Sequence, residues 1–503
     1  MIALRHLRNL WIPLLAMMVL ACFSDASAQV RYRVTDLGTQ GNDNLGCAMS
    51  LNDEGWTEIM AGKFEPGQQD FVPAQPLVGR VLIDVDGFKI DLGTLGGPSS
   101  WMMWGEINDF GEVVGYSETA VPDPNGEDVC HLGDHLTCRP FLWQRFQMSA
   151  LPTLGGNNGQ ASAINNRGQI VGFAENGAVD PSCPANTTNN RIQLPVLWEN
   201  GKAQALPTGS DPGGNALWLN DQGQAVGFTG PCGAMNHAVV WENGNVSPLL
   251  DYGTGAEAFG NNNRGQIVGF VDSPDNSTLY GALWQNGTLT TLGLLPGDFG
   301  GLASGINSKG QVVGSNFDSN FDWSHAFIWQ DGVMTDLNKL LPATSNLMAT
   351  MANKINERGQ ISGMAIVVSG PDKGNIHAFL ATPVDASIGR RLRTSCMNAR
   401  NPICPRMLTN SFCGDSDSPD WCNKATSELL HHAFQPYARE GARPEVVAWH
   451  SGSREYRRDP ESGVGIYSRT TRDVWRAIVT LHSTSVLPTL TRCTRTCAPR
   501  EST

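Results

Sequence analysis

Four side chains in one short segment have the residue types of a metal site. Cys130, His131, His135 and Cys138 offer two thiolates and two imidazoles, the donors that zinc prefers. The competing chemistry is a disulfide between Cys130 and Cys138 closing a surface loop, which export to an oxidising compartment favours. Cys183 and Cys232 occupy the connections after the third and fourth of the repeats described below, and are candidates for a second bridge. The Asp and Asn residues of 122–128 are oxygen donors of the kind Ca²⁺ takes, but they lack the regular ligand spacing of a dedicated calcium loop. No cofactor is therefore expected, with Ca²⁺ or Zn²⁺ in surface loops as the weaker reading. Trp143, Trp198, Trp241, Trp284 and Trp329 could form a sugar-stacking ladder. They fall at one fixed position per repeat inside apolar strands, so packing between repeats is the stronger expectation. His237, His325 and His377 read as hydrogen-bonding residues at strand starts. No Gly-x-Ser-x-Gly elbow, His-Glu-x-x-His, phosphate loop or dinucleotide fingerprint occurs, and no catalytic residue is assigned.

What must position any such groups is a repeat. An Asn stands three residues before a Gly, followed by a short β-branched strand, at Asn52/Gly55, Asn108/Gly111, Asn165/Gly168, Asn220/Gly223, Asn262/Gly265, Asn307/Gly310 and Asn356/Gly359. The step suits a type I turn closed by a bulge: Asn bonds the backbone two residues on, and Gly takes positive φ. A second turn recurs upstream as Asn-Gly or Asp-Gly after Trp198, Trp241, Trp284 and Trp329, the signal of a type I′ hairpin. Each repeat thus reads as four strands; in the sixth they cover 282–284, 288–292, 303–306 and 311–314. Four short strands repeated radially indicate an all-β, seven-bladed β-propeller. The segment 32–38 matches the second strand of a repeat, and the missing first strand stands at 377–381. Pairing the two would close the ring and leave no long exposed edge.

His325-Ala326-Phe327-Ile328-Trp329, His377-Ala378-Phe379-Leu380, Asp91-Leu92-Gly93-Thr94-Leu95-Gly96-Gly97 and the Asn-x-x-Gly-Gln-Ile-Val-Gly copies resemble the HAF-type extracellular repeats of bacterial exported proteins. The resemblance covers about residues 30–383 and implies an exported, propeller-like protein. It brings no established activity or catalytic residues. Asp84 and Ala381 replace the repeat Trp, and Arg139, Leu194 and Tyr280 replace the His, so that position is not a shared catalytic histidine.

The chain ends differ from the ring. Residues 1–28 read as a signal peptide: basic Arg5 and Arg8, an apolar run over 10–20, and Ala26-Ser27-Ala28 for cleavage. Lipoprotein processing at Cys22 is the poorer fit. No later segment is long and apolar enough to span a bilayer. The ring at 29–383 carries 16 Lys+Arg against 35 Asp+Glu, whereas the tail at 384–503 carries 17 against 12. The acidic ring argues against phosphate-backbone binding, so no nucleic acid is expected. Cys47 stands where other repeats have small buried residues and reads as a packed free thiol. The tail, with Cys396, Cys404, Cys413, Cys422, Cys493 and Cys497, is expected to be partly helical (420–434) or disordered.

The functional expectation is a secreted, periplasmic or cell-surface module that binds an extracellular or envelope ligand, glycan or protein. Long, acidic loops at 117–137 and 174–193 would carry the binding surface at one rim. The alternative is a glycan-active hydrolase or lyase with acidic residues converging from several blades, which carboxylates beside His, Arg or Tyr at one mouth would favour.

Overall fold

The Asn-x-x-Gly turns fold as their chemistry dictates. In a computed structural model, which describes residues 30–63, 78–102, 106–184, 187–232, 236–384 and four strand segments between 443 and 482, the Gly168 N–H donates to the Asn165 carbonyl at 3.0 Å. The Asn165 side-chain oxygen accepts from the backbone N–H groups of Arg167 and Gln169, each at 3.0 Å. Gly168 has φ +74°, a conformation that costs other residues strain. The same N–H to carbonyl bond closes the other six turns, at Gly55, Gly111, Gly223, Gly265, Gly310 and Gly359, over 2.9–3.1 Å. Their φ values lie between +72° and +85°. The upstream turns are equally regular: Asn200 and Gly201 have φ +53° and +73°, as a type I′ turn requires.

These turns organise the unit Met1–Ser387. Its described residues are strands and connections apart from one 3₁₀ turn, Leu337–Lys339. Strand β1 (Arg31–Gly38) precedes β2 (Leu45–Leu51), β3 (Thr57–Gly62), β4 (Gly79–Val85) and β5 (Phe88–Asp91). Five separate four-stranded antiparallel sheets follow. The first holds β6 (Gly96–Trp101), β7 (Val113–Pro122), β8 (Leu136–Gln144) and β9 (Gln147–Ala150). Next come β10 (Gly159–Ile164), β11 (Ile170–Val179), β12 (Arg191–Glu199) and β13 (Lys202–Ala205). The third sheet contains β14 (Gly213–Leu219), β15 (Ala225–Gly230), β16 (His237–Glu242) and β17 (Asn245–Pro248). The fourth is β18 (Ala256–Asn261), β19 (Ile267–Asp272), β20 (Leu279–Gln285) and β21 (Thr288–Thr291). The fifth is β22 (Gly300–Ile306), β23 (Val312–Phe317), β24 (Trp323–Gln330) and β25 (Val333–Asp336). Finally β26 (Leu347–Ile355), β27 (Ile361–Val367) and β28 (Ile376–Val384) join β1 to β5 in an eight-stranded sheet.

Within that last sheet, β1 pairs antiparallel with β28 from Arg31↔Val384 to Gly38↔Ala378. The two ends of the repeat array therefore meet, as the fragments at 32–38 and 377–381 require. A single parallel bridge, Leu45↔Ile376, links this group to β2. One expectation needs correction: repeats opened on the His-Ala-Phe strand are out of phase with the sheets by two strands. Each four-stranded sheet takes its inner pair from one repeat and its outer pair from the next. The connections within β22 to β25 return each strand to its own sheet, whereas the segment between β21 and β22 crosses to the next.

The Ile-Val-Gly starts of the second strands are buried because sheets pack on both their faces. Close packing explains the Gly of Ile-Val-Gly: a Cβ on Gly269 would lie 2.0 Å from the Glu257 backbone oxygen. The recurring tryptophans pack between sheets and do not form an exposed ladder. Trp198, Trp241 and Trp284 are buried. Their indole N–H groups donate to the carbonyls of Pro152, Pro207 and Leu250 at 2.7, 2.7 and 2.6 Å, each following the outer strand of the preceding sheet. An indole of this size buries roughly 150–250 Å², worth about 4–6 kcal/mol gross before conformational entropy is deducted.

The second unit, Ile388–Thr503, contains Arg443–Trp449 paired antiparallel with Arg476–His482, and Arg457–Arg458 paired with Gly465–Ile466. These strands fall where the sequence showed no convincing period. The leader, the helix expected at 420–434 and the six tail cysteines lie outside the described residues. Among the described residues no helix is long and apolar enough to cross a membrane.

Candidate functional site

The seven turn asparagines do more than cap their own turns. The Asn52 side-chain amide donates to the Asn108 carbonyl at 3.1 Å, and Asn108 donates to the Asn165 carbonyl at 3.3 Å. The series continues through Asn220, Asn262, Asn307 and Asn356 at 2.9–3.1 Å. Asn356 then donates to the Asn52 carbonyl at 2.9 Å. Seven side-chain-to-backbone hydrogen bonds thus form a closed circle.

The next residue of each turn adds a second, incomplete circle. The backbone N–H groups of Asp53, Asp109, Asn166 and Asp221 donate to the side-chain oxygens of Asp109, Asn166, Asp221 and Asn263 at 2.9–3.0 Å. Ser308 donates its backbone N–H to Glu357 at 2.7 Å, and Glu357 donates to Asp53 at 2.9 Å. Only the step from Asn263 to Ser308 lacks such a bond among the described residues.

These circles surround a cavity of about 170 Å³. The two halves of each turn part company here. Asn52, Asn108, Asn165, Asn220, Asn262 and Asn356 line the cavity, whereas the turn glycines do not. Gly55, Gly111, Gly168, Gly223, Gly265, Gly310 and Gly359 reverse the chain behind the asparagines, and their part is confined to the turn. Three further lining residues, Glu106, Trp218 and Lys354, come from one position, two residues before a turn Asn. That position is Ser50, Glu106, Ala163, Trp218, Gly260, Gly305 and Lys354 in chain order. Wherever the pairing register is continuous around it, a bulge shifts the register immediately before this residue, as at Ala216/Trp218 and Ala352/Lys354. Bulges re-aim side chains, and here Glu106, Trp218 and Lys354 line the cavity. Lys354 reaches across it: its Nζ lies 2.7 Å from the centroid of the Trp218 ring and 3.7 Å from Glu106 Oε1.

A fourth polar residue stands behind them. Glu58 occupies the strand position filled by Val114, Val171, Val226, Val268 and Val313 in other repeats, and lies directly opposite Ser50. It is fully buried, and both carboxyl oxygens lack a hydrogen-bond partner among the described residues. The Ser50 and Ser362 hydroxyls and Glu106 Oε2 are likewise unpartnered. Burial pushes the Glu58 carboxyl well above the usual carboxylate range, and the neighbouring Glu106 pushes it further. Burial also raises Glu106, opposed by Lys354 and assisted by Asp221, while it lowers Lys354 against the pull of Glu106. Desolvation therefore exceeds the attraction within this pair.

The rim is built differently. Cys130 is bonded to Cys138, and Cys183 to Cys232. The first bond joins the two thiols that the zinc reading would draw on. No group of three or more His, Cys, Asp or Glu among the described residues is placed to hold a metal ion. The first six residues of each expected loop, 117–122 and 174–179, are strand extensions of β7 and β11. The two connections do lie side by side: Asp128 and Asn189 exchange hydrogen bonds at 2.7 and 2.8 Å, and Glu127 accepts from the backbone of Asn190 and Arg191 at 3.1 and 3.2 Å. Most of their other carboxylates bond backbone within their own connection, as Asp123, Asp128 and Asp180 do. Cys47 is a buried free thiol, pushed up to about 12 by burial. His237, His325 and His377, each at or near the start of its strand, bond Asp211, Asp298 and Asp36 at 3.1, 3.0 and 2.9 Å.

Sequence reasoning did not single out Glu58, Glu106, Trp218 or Lys354. The signal was present as departures from the repeat at two fixed positions.

No protein-family model matches the chain, and no curated protein sequence does. Among solved structures, an acylaminoacyl peptidase in complex with Z-Gly-Gly-Phe-chloromethyl ketone is similar over 64% of this chain, at 13% identity and a TM-score of 0.36. This chain spans half the length of that peptidase. A gluconolactonase from Xanthomonas campestris is similar at 11% identity over 71% of this chain and 93% of its own, with a TM-score of 0.35. A protein of unknown function from Dyadobacter fermentans is similar at 9% identity over 70% and 99%, with a TM-score of 0.34.

Proposed function

We propose that this chain is an exported, seven-bladed propeller of the HAF-repeat type, acting as a binding module whose ligand enters the central cavity. The observation that carries the reading is the placement of Glu106, Trp218 and Lys354 at one repeat position, where they converge from three different repeats on a single space. A position that only has to complete the fold is served by Ala163, Gly260 or Gly305; an acid, an indole and an ammonium there offer directional recognition. Glu106 comes with Lys and Trp, not with the His, Arg or Tyr expected of a glycan-cleaving site, which favours binding over turnover.

A thermal-shift screen of small polar molecules and oligosaccharides on the full chain tests this. At least one class should raise the Tm of the native protein by several degrees and leave the Trp218→Ala variant unchanged. Ligands that stabilise both proteins equally would place binding outside the cavity.

A further inference from the structure

Lys354 occupies its surroundings in the manner of a bound guest. Its ammonium sits over the face of Trp218, 2.7 Å from the ring centroid, with the Glu106 carboxyl at 3.7 Å. An aromatic face plus a carboxyl is the arrangement that recognises organic cations. Its contact with the carboxyl is nevertheless long. No hydrogen bond of 3.5 Å or less joins it to Glu106, and Glu106 Oε2 has no partner among the described residues. The lining adds Asp53, Asp109, Asp221 and Glu357, with Lys354 its sole cationic side chain among the described residues. The ring around it carries 16 basic against 35 acidic residues over 29–383. Such a field draws cations toward the mouth and repels anions.

We propose that the cavity takes an organic ammonium ion in the seat that Lys354 fills, with Trp218 and Glu106 as its contacts and Lys354 as a displaceable internal substitute. This rests on the reading of the cavity as the ligand site. Lys354 springs from the strand edge at a bulge, and its flexible stem lets the head group leave the seat without moving the backbone. The occupied seat keeps the indole face and Glu106 covered until a better cation arrives.

The probes are choline and 3,3-dimethylbutan-1-ol, which share shape and differ in charge. Binding to the full chain is measured by calorimetry for the native protein, Lys354→Met, Lys354→Ala and Trp218→Ala, with Tm reporting folding. Lys354→Ala reproduces the residue that Ala163 supplies at the same position, so the fold has a precedent for it. Choline should bind both Lys354 variants about tenfold or more tighter than the native protein, and the uncharged alcohol should bind about tenfold more weakly than choline. Trp218→Ala should abolish choline binding. Equal binding of choline and alcohol, or no gain on removing Lys354, would overturn the proposal while leaving a W218A-sensitive hit in the thermal-shift screen intact. Absence of any such hit would instead remove the cavity reading itself.

Discussion

Deleting residues 376–384 should abolish the cooperative unfolding of the ring. β28 is the middle strand between β27 and β1, so its loss leaves β1 without a partner and β27 with an open edge. Among the described residues it also removes the strand pairing that joins the two ends of the array. The buried Ala378, Phe379 and Ala381 go with it. Exposed inner edges then invite pairing with other chains. The graded form of the test is Phe379→Ala, which empties a fully buried site and should cost about 3–5 kcal/mol. Calorimetry of the full chain reads both variants. A deletion variant that still unfolds in one sharp transition near the native Tm would show that the ring does not depend on this closure.

Glu58→Val should make the protein more stable at neutral pH. The substitution installs the residue that five other repeats carry and removes two buried oxygens without partners among the described residues. The gain expected from relieving such a group is about 1–3 kcal/mol. Its pH dependence has a definite sign. The folded-state carboxyl titrates well above its unfolded value of about 4.3, so the folded chain binds the proton more tightly. The stability this provides is full below that unfolded value and is lost as pH rises toward the folded one. Native protein should therefore lose stability from mildly acidic to neutral pH, and E58V should lose less. A variant less stable than the native protein at pH 7, with an unchanged pH slope, would mean that Glu58 has partners here that relieve its burial.

Much of the fold was legible because it rests on local chemistry repeated in register. Asn-x-x-Gly and Asn-Gly turns declare their own geometry, and the tryptophans declared by their fixed position that they are packing residues. The phase of the sheets was not legible, since it depends on where a connection crosses between sheets and not on any turn. Nor was the circle of asparagine hydrogen bonds, which links residues 42 to 57 positions apart and, at its closing step, Asn356 to Asn52. The site was missed for a related reason. Reading a repeat rewards what stays constant, whereas Glu58, Glu106, Trp218 and Lys354 are informative because they differ. The long rim connections drew attention by length and acidity, yet their carboxylates mostly bond neighbouring backbone.

Hydrogen–deuterium exchange on the full chain, with and without a ligand from the screen, separates centre from rim directly. The account predicts protection in peptides covering 106–109, 216–221 and 352–357, three stretches far apart in sequence that meet at the cavity. Peptides covering 123–135 and 180–191 should be unchanged. Protection confined to those rim connections, with the three central stretches unaltered, would contradict it.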